Sequence, residues 1–133
     1  VKPGFKVGIK VDLPAIVKPT MKPHLEGLVA HRLYATWAMV YHMETASRML
    51  LAPYLSPEEE AVGGGILVKH LRPARIGAPL HVTATLVRVR GTRVYTRMEV
   101  FSRHRKIGEG SMVQVVMPRS RFAKLIREAR EAR

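Results

Sequence analysis

The chain has 133 residues, no cysteine and a net charge of +13, with 23 Lys and Arg against 10 Asp and Glu. These values exclude a disulfide scaffold, a thiolate nucleophile and a cysteine-ligated zinc. A hydrophobic content of 47% excludes a disordered chain, and the length sets one domain, residues 1–133, with a modest core.

The charge calls for a polyanionic partner or a generally positive field. The basic residues are scattered and not blocked, and three Phe and one Trp are not interleaved with them. Base stacking on nucleic acid is therefore disfavoured, and most of these charges read as a solvated face. No apolar run nears the length of a membrane span, and no charged-then-apolar leader opens the chain. The expectation is a soluble, cytoplasmic protein without a membrane partner. Asn is absent, Gln114 is the only Gln, and nine prolines are present, a composition expected of a heat-adapted (thermophile) source.

Residues 1–11 alternate Phe5, Val7, Ile9 and Val11 with polar or small residues, which predicts a half-exposed first strand. Pro14, Pro19 and Pro23 break any long element after it, so residues 14–32 read as an extended segment with a short helical turn around Glu26 to Leu33. His24 and His31 fall here at no metal-ligand spacing and read as ordinary loop histidines. Thr36 to Leu51 is apolar nearly all round, which predicts a helix buried on most faces, capped by Thr36 and stopped by Pro53. The methionines at 39, 43 and 49 read as core. One carboxylate, Glu44, sits mid-helix, where burial is costly unless the group is paired or used. Arg48, four residues on, is its candidate ion-pair partner.

Ser56 to Glu60 reads as an acidic loop or single helical turn. Gly63-Gly64-Gly65 reads as a turn feeding a strand from Gly65 that ends near His70; such glycines let backbone N–H groups point at an oxygen. A carboxylate, a histidine and free backbone donors are the parts of an acyl-transfer site. Three further strands come next: Leu80 to Arg90, Arg93 to Ser102 after a II′ turn at Gly91, and Ile107 to Met117, apolar on both faces and so central. Ser120 to Arg133 predicts a final helix with Phe122, Leu125, Ile126 and Ala129 as its apolar stripe. A long buried helix ahead of an antiparallel meander gives an α+β architecture, the helix wrapped by the sheet.

Thr36, Glu44 eight positions on, Ala52-Pro53-Tyr54-Leu55, Pro57-Glu58, Gly63, His70, Pro73, Gly77 and Ile107-Gly108 together resemble the hotdog-fold acyl-coenzyme A thioesterases. Within that superfamily the pattern is most similar to fluoroacetyl-coenzyme A thioesterase. The resemblance covers about the central two-thirds of the chain. It implies the hotdog fold, thioester hydrolysis with no cofactor beyond the coenzyme A of the substrate, and a dimer, or dimer of dimers, with sites built across the interface. It also implies catalytic places for Thr36, Glu44 and His70 and a substrate-carbonyl donor at Gly63.

Two departures qualify it. The relative carries lid phenylalanines before the threonine; residues 21–35 here contain no Phe and offer Leu25, Leu28, Val29, Leu33 and Tyr34. Its last-strand arginine is replaced by Gln114. The chemistry is expected to carry over and the fluoroacetyl specificity is not, with Tyr34, Gln114, Gly63 and Gly64 as the substrate-contacting candidates. A thiolate leaves without a strong general acid, so one carboxylate and an oxyanion site suffice. Glu44 would serve as base or nucleophile, assisted by His70 and Thr36. Alternatives are a hotdog module that binds acyl-coenzyme A without hydrolysing it, or a basic nucleic-acid-binding protein.

Overall fold

The computed structural model describes residues 1–132. Five strands form one antiparallel sheet: β1 (Lys10–Ile16), β2 (Glu59–His70), β3 (Pro79–Arg90), β4 (Arg93–Ser102) and β5 (Arg105–Pro118), in the order β1-β3-β4-β5-β2. The helix α1 (Thr36–Leu51) lies against all five strands, and α2 (Arg119–Glu131) follows β5 directly. This is the predicted α+β arrangement of a helix wrapped by a sheet. The buried core joins Met39, Met43, Ala46 and Leu50 of α1 to Leu80, Val82, Leu86, Met98, Val100 and Met112 of the sheet.

The helix seats deeply because β5 presents glycines beneath it. A Cβ at Gly108 would collide with Met39 Sδ and Cε, and one at Gly110 would collide with the Leu67 carbonyl of β2 and sit 3.2 Å from Met43 Sδ. Close approach of helix to sheet, and of β2 to β5, therefore depends on the missing side chains.

Several expectations are corrected. The first strand begins at Lys10 and not near residue 1, because Gly4 and Gly8 take φ of +94° and +100° and turn the chain. It then runs through Pro14, which is tolerated because β1 is an edge strand. The turn expected around Glu26 to Leu33 is a 3-10 turn at Leu25–Gly27. Ala35, not Thr36, occupies the N-cap position, and the Thr36 hydroxyl is used elsewhere. The helix is not buried on most faces: Trp37, Tyr41 and Glu44 share an exposed stripe at i, i+4, i+7 spacing. Glu59 and Glu60 belong to β2, and the glycine run is no turn but part of that strand, with the register to β5 shifting between Gly63 and Gly65. A bulge there needs small residues, since a Cβ on Gly64 would press on Val115 at 3.3 Å. The last strand, β5, is paired on both sides as its two apolar faces predict, and the free edges are β1 and β2. The last helix starts one residue early, and Arg133 lies outside the described residues.

Gly110→Ala is expected to destabilise the fold by about 1–3 kcal/mol, because backbone has to move, and to lower the thermal midpoint by several degrees. Gly65→Ala, whose Cβ would meet only Val113 at an ordinary 3.6 Å, is expected to change the midpoint far less in the same scan.

Candidate functional site

Three sequence-derived candidates gather where the N-terminus of α1 meets the end of β2. The Thr36 Oγ1 and His70 Nδ1 atoms lie 3.0 Å apart. His70 Nε2 is buried and has no partner among the described residues. Burial lowers the His70 pKa below its ordinary 6.5, the Arg72 backbone acting weakly against it, so the ring is neutral at neutral pH. Its proton has two placements: on Nε2 with Nδ1 accepting from the threonine, or on Nδ1 with Nε2 left as a bare lone pair. Either leaves an unspent polar atom facing inward, which is costly unless a carboxylate, water or substrate completes it.

Tyr34 is 2% exposed, and its ring meets His70 edge-on at 5.9 Å between centroids. Its hydroxyl turns away from the cleft to His42 Nδ1, 2.6 Å off. Burial raises the phenol pKa well above its usual 10.0, so the hydroxyl stays protonated and donates. Burial, and then Lys18, lower the His42 pKa, which keeps that ring neutral and accepting. Tyr34 thus offers this cleft a ring face and not a hydroxyl.

Glu44 stands apart from these groups. Eight residues of helix separate it from Thr36 by about 12 Å along the axis and about 80° around it, so Thr36 does not position the Glu44 carboxylate of its own chain. Glu44 lies over the β2 bulge instead: a Cβ on Gly63 would sit 3.1 Å from Glu44 Oε2 and 3.2 Å from Met112 Cε. The structure therefore adds a steric reason for glycine at 63. Glu44, Gly63, Tyr41, Arg48 and Gln114 line one cleft of about 430 Å³, and Thr36, Tyr34 and His70 line another of about 510 Å³. One chain holds these two groups of residues in separate clefts.

The expected Glu44–Arg48 ion pair is not formed. Arg48 donates to Gln114 Oε1 at 3.2 Å, to Glu60 Oε1 at 3.1 Å and to the Ala61 carbonyl at 2.7 Å. Gln114 is 1% exposed and spends its amide on the Ser47 carbonyl at 3.1 Å, so both of its ends are occupied. Among the described residues Glu44 has no cationic partner. The sequence reading missed the Tyr34–His42 pair and the Arg48 clamp. A signal for the first was present, since a histidine on the inner face of an apolar helix needs a partner.

The family described as FlK, fluoroacetyl-CoA-specific thioesterase, matches residues 17–120. The chain is 31% identical over 134 residues to the fluoroacetyl-CoA thioesterase of Streptantibioticus cattleyicolor, covering 96% of each. A thioesterase-superfamily protein of Thermus thermophilus superposes with a TM-score of 0.92 at 33% identity, covering 97% of this chain and 96% of that one. A structure of the fluoroacetyl-CoA thioesterase FlK superposes with a TM-score of 0.85 at 29% identity, covering 94% of this chain and 97% of that one. Matched over residues 17–120, which hold α1 and all of β2 to β5, the chain belongs to the fluoroacetyl-CoA-specific thioesterase family of hotdog-fold hydrolases.

Proposed function

We propose that the protein is an acyl-coenzyme A thioesterase in which Glu44 drives hydrolysis, with His70 and Thr36 assisting, in a site completed by a second copy of the chain. The single observation that carries the reading is the Glu44 carboxylate lying over the Gly63 bulge with no cation to neutralise it, while Arg48 beside it is held by three other partners. A carboxylate left in this state is available as a base or nucleophile.

The thioester carbonyl sits between the Glu44 carboxylate and the β2 bulge, where backbone N–H groups of Gly63 and Gly64 polarise its oxygen. As base, Glu44 takes a proton from water as the water oxygen bonds to the carbonyl carbon. The tetrahedral oxyanion then collapses, the carbon–sulfur bond breaks, and coenzyme A leaves as a thiolate that is protonated afterwards. As nucleophile, Glu44 bonds to the carbon itself, the carbon–sulfur bond breaks to release the coenzyme A thiolate, and water opens the resulting anhydride to free the acid and return the carboxylate. Neutral His70 orients the water or the departing sulfur, and Thr36 fixes the imidazole through Nδ1. The positive field of the chain draws in the phosphates of coenzyme A.

Two features support sharing of the site between copies. The exposed stripe of α1 carries Trp37 and Tyr41, 45% and 63% exposed, and the free β2 edge beside it carries Ile66 and Leu67, 40% and 59% exposed. Such apolar surface on an unpaired edge suits a two-fold contact. Pairing there supplies the Thr36–His70 half-site of one copy to the Glu44 half-site of the other. A dimer of dimers would repeat such a contact.

Glu44→Gln is expected to lower kcat by about 10²–10⁴-fold, measured as free-thiol release from acyl-coenzyme A esters; retention of most turnover defeats the assignment. For the wild type, kcat/KM is expected to rise with pH through an inflection below 6.5 and then level off, because the His70 pKa is lowered and the working ring is neutral. His70→Gln should remove that inflection, and an unchanged profile would take His70 out of the site. Mixing Glu44→Gln and His70→Ala proteins, each inactive alone, is expected to restore turnover after subunit exchange, since one intact site forms per mixed dimer. No recovery despite mixed dimers would put both groups in one chain's site.

A further inference from the structure

We infer that Gln114 is a positioning residue for the reaction: with Glu60 it holds the Arg48 guanidinium against the strands, and without it Arg48 turns onto Glu44 and masks the carboxylate. The inference rests on the reading of Glu44 as base or nucleophile and adds the groups that keep Glu44 free.

Helix spacing sets the contest. Arg48 follows Glu44 by four residues, in the order that favours an ion pair. The two side chains line one cleft, whose other lining residues carry no charge. The Arg48 side chain is 40% exposed, so burial alone does not immobilise it. The three bonds that hold it all run from the helix to the strands. Nη2 spends both hydrogens on β2, one on Glu60 Oε1 at 3.1 Å and one on the Ala61 carbonyl at 2.7 Å. Nη1 spends one on Gln114 Oε1 of β5 at 3.2 Å. Nε and the second Nη1 hydrogen have no partner among the described residues.

Gln114 is the buried member of this clamp, and its amide has one orientation. The Ser47 carbonyl only accepts, so Nε2 faces it at 3.1 Å, which turns Oε1 to the guanidinium. Ser47 directly precedes Arg48 in the helix. Gln114 thus grips α1 by one residue's main chain and by the next residue's side chain, and so sets the guanidinium relative to the helix that also carries Glu44. Glu60 is fixed in turn, by the Ala61 N–H at 3.0 Å and by Arg119 at 3.3 Å. An apolar residue of similar size at 114 fills the space but accepts nothing, which frees Nη1. A small residue at 60 removes the carboxylate that Nη2 holds. In either case a released amino group meets one carboxylate in its cleft, and that is Glu44.

The test is a double-mutant cycle of Gln114→Met and Arg48→Met, read as kcat for free-thiol release at saturating acyl-coenzyme A ester. Gln114→Met alone is expected to lower kcat by about two- to fivefold, the strength of a partly exposed ion pair, and added salt to return part of the loss. In the Arg48→Met background the same substitution is expected to cost nothing further, because no guanidinium remains to be released. Glu60→Ala should repeat the pattern through the other amino group, and it decides if Gln114→Met does not fold. The crystal structure of the folded variant reads the same point without turnover: an Arg48–Glu44 ion pair upholds the inference, and an Arg48 that stays clear of Glu44 overturns it. An equal loss with and without Arg48, undiminished by salt, makes Gln114 a packing residue and also overturns it, as does full turnover by Gln114→Met and Glu60→Ala. Failure of the underlying reading looks different: Glu44→Gln then keeps its turnover, and the catalytic role drawn here for Gln114 falls with it.

Discussion

The seating of Met39 and Met43 on Gly108 and Gly110 is the contact on which the rest depends. Two bare backbone positions in β5 let a helix sink into the sheet until its sulfur atoms touch main chain. That depth fixes where the flanks of α1 emerge. Thr36 arrives at the end of β2, beside His70, and Glu44 arrives at the bulge of the same strand, beside Gly63. Helix and strand run in opposite directions, and eight helical residues cover about 12 Å where seven strand residues cover roughly 20 Å or a little more. The two contacts of helix with strand are therefore set by side-chain reach and crossing, not by register.

Beneath Glu44 runs a polar chain that keeps its carboxylate uncommitted. Ser47 meets Thr96 at 2.9 Å, its carbonyl takes the Gln114 amide, Gln114 takes Arg48, and Arg48 passes to Glu60, which also pairs with Arg119 at 3.3 Å. Every buried member is satisfied, which is the condition under which such a chain is stable in a core. Its effect is to tether the one cation that helix spacing places within reach of Glu44. A guanidinium held by a carboxylate, an amide and a carbonyl has little left to offer another anion.

The order of the elements was legible because periodicity reports which faces are covered. Arg93–Ser102 and the helix Thr36–Leu51 were read to the residue, the strand from its alternation after Gly91 and the helix from its long apolar run ahead of Pro53. The glycine run was misread because three glycines suit a turn and a bulge equally, and only pairing with β5 distinguishes them. Glu44 was read as buried because its neighbours in sequence are apolar, yet Trp37 and Tyr41 are apolar and exposed beside it. Spacing suggested the candidate residues, but not their separation into two clefts. Thr36, Glu44 and His70 fall at spacings that resemble the family's, and nothing in one chain's periodicity says that the helix sends two of them to opposite ends of a strand. The Arg48 clamp was invisible because its partners, Glu60 and Gln114, lie 12 and 66 residues away.

The wall of the His70 cleft is tied to the body at few points. The bonds that hold its ends are Ala35 N–H to the Met21 carbonyl at 2.8 Å, Tyr34 N–H to the Ala74 carbonyl at 2.8 Å and the bridge from Leu33 to Arg75. Residues 22 to 32 contribute no strand to the sheet and no turn to α1. Replacing that segment, or changing its length, leaves the seat of the helix and the bulge of β2 untouched. The wall of this cleft is thus separable from the frame that carries Thr36, His70 and Glu44: one short stretch can change in length and composition while those groups stay where they are, and the same stretch is the natural place to randomise a library.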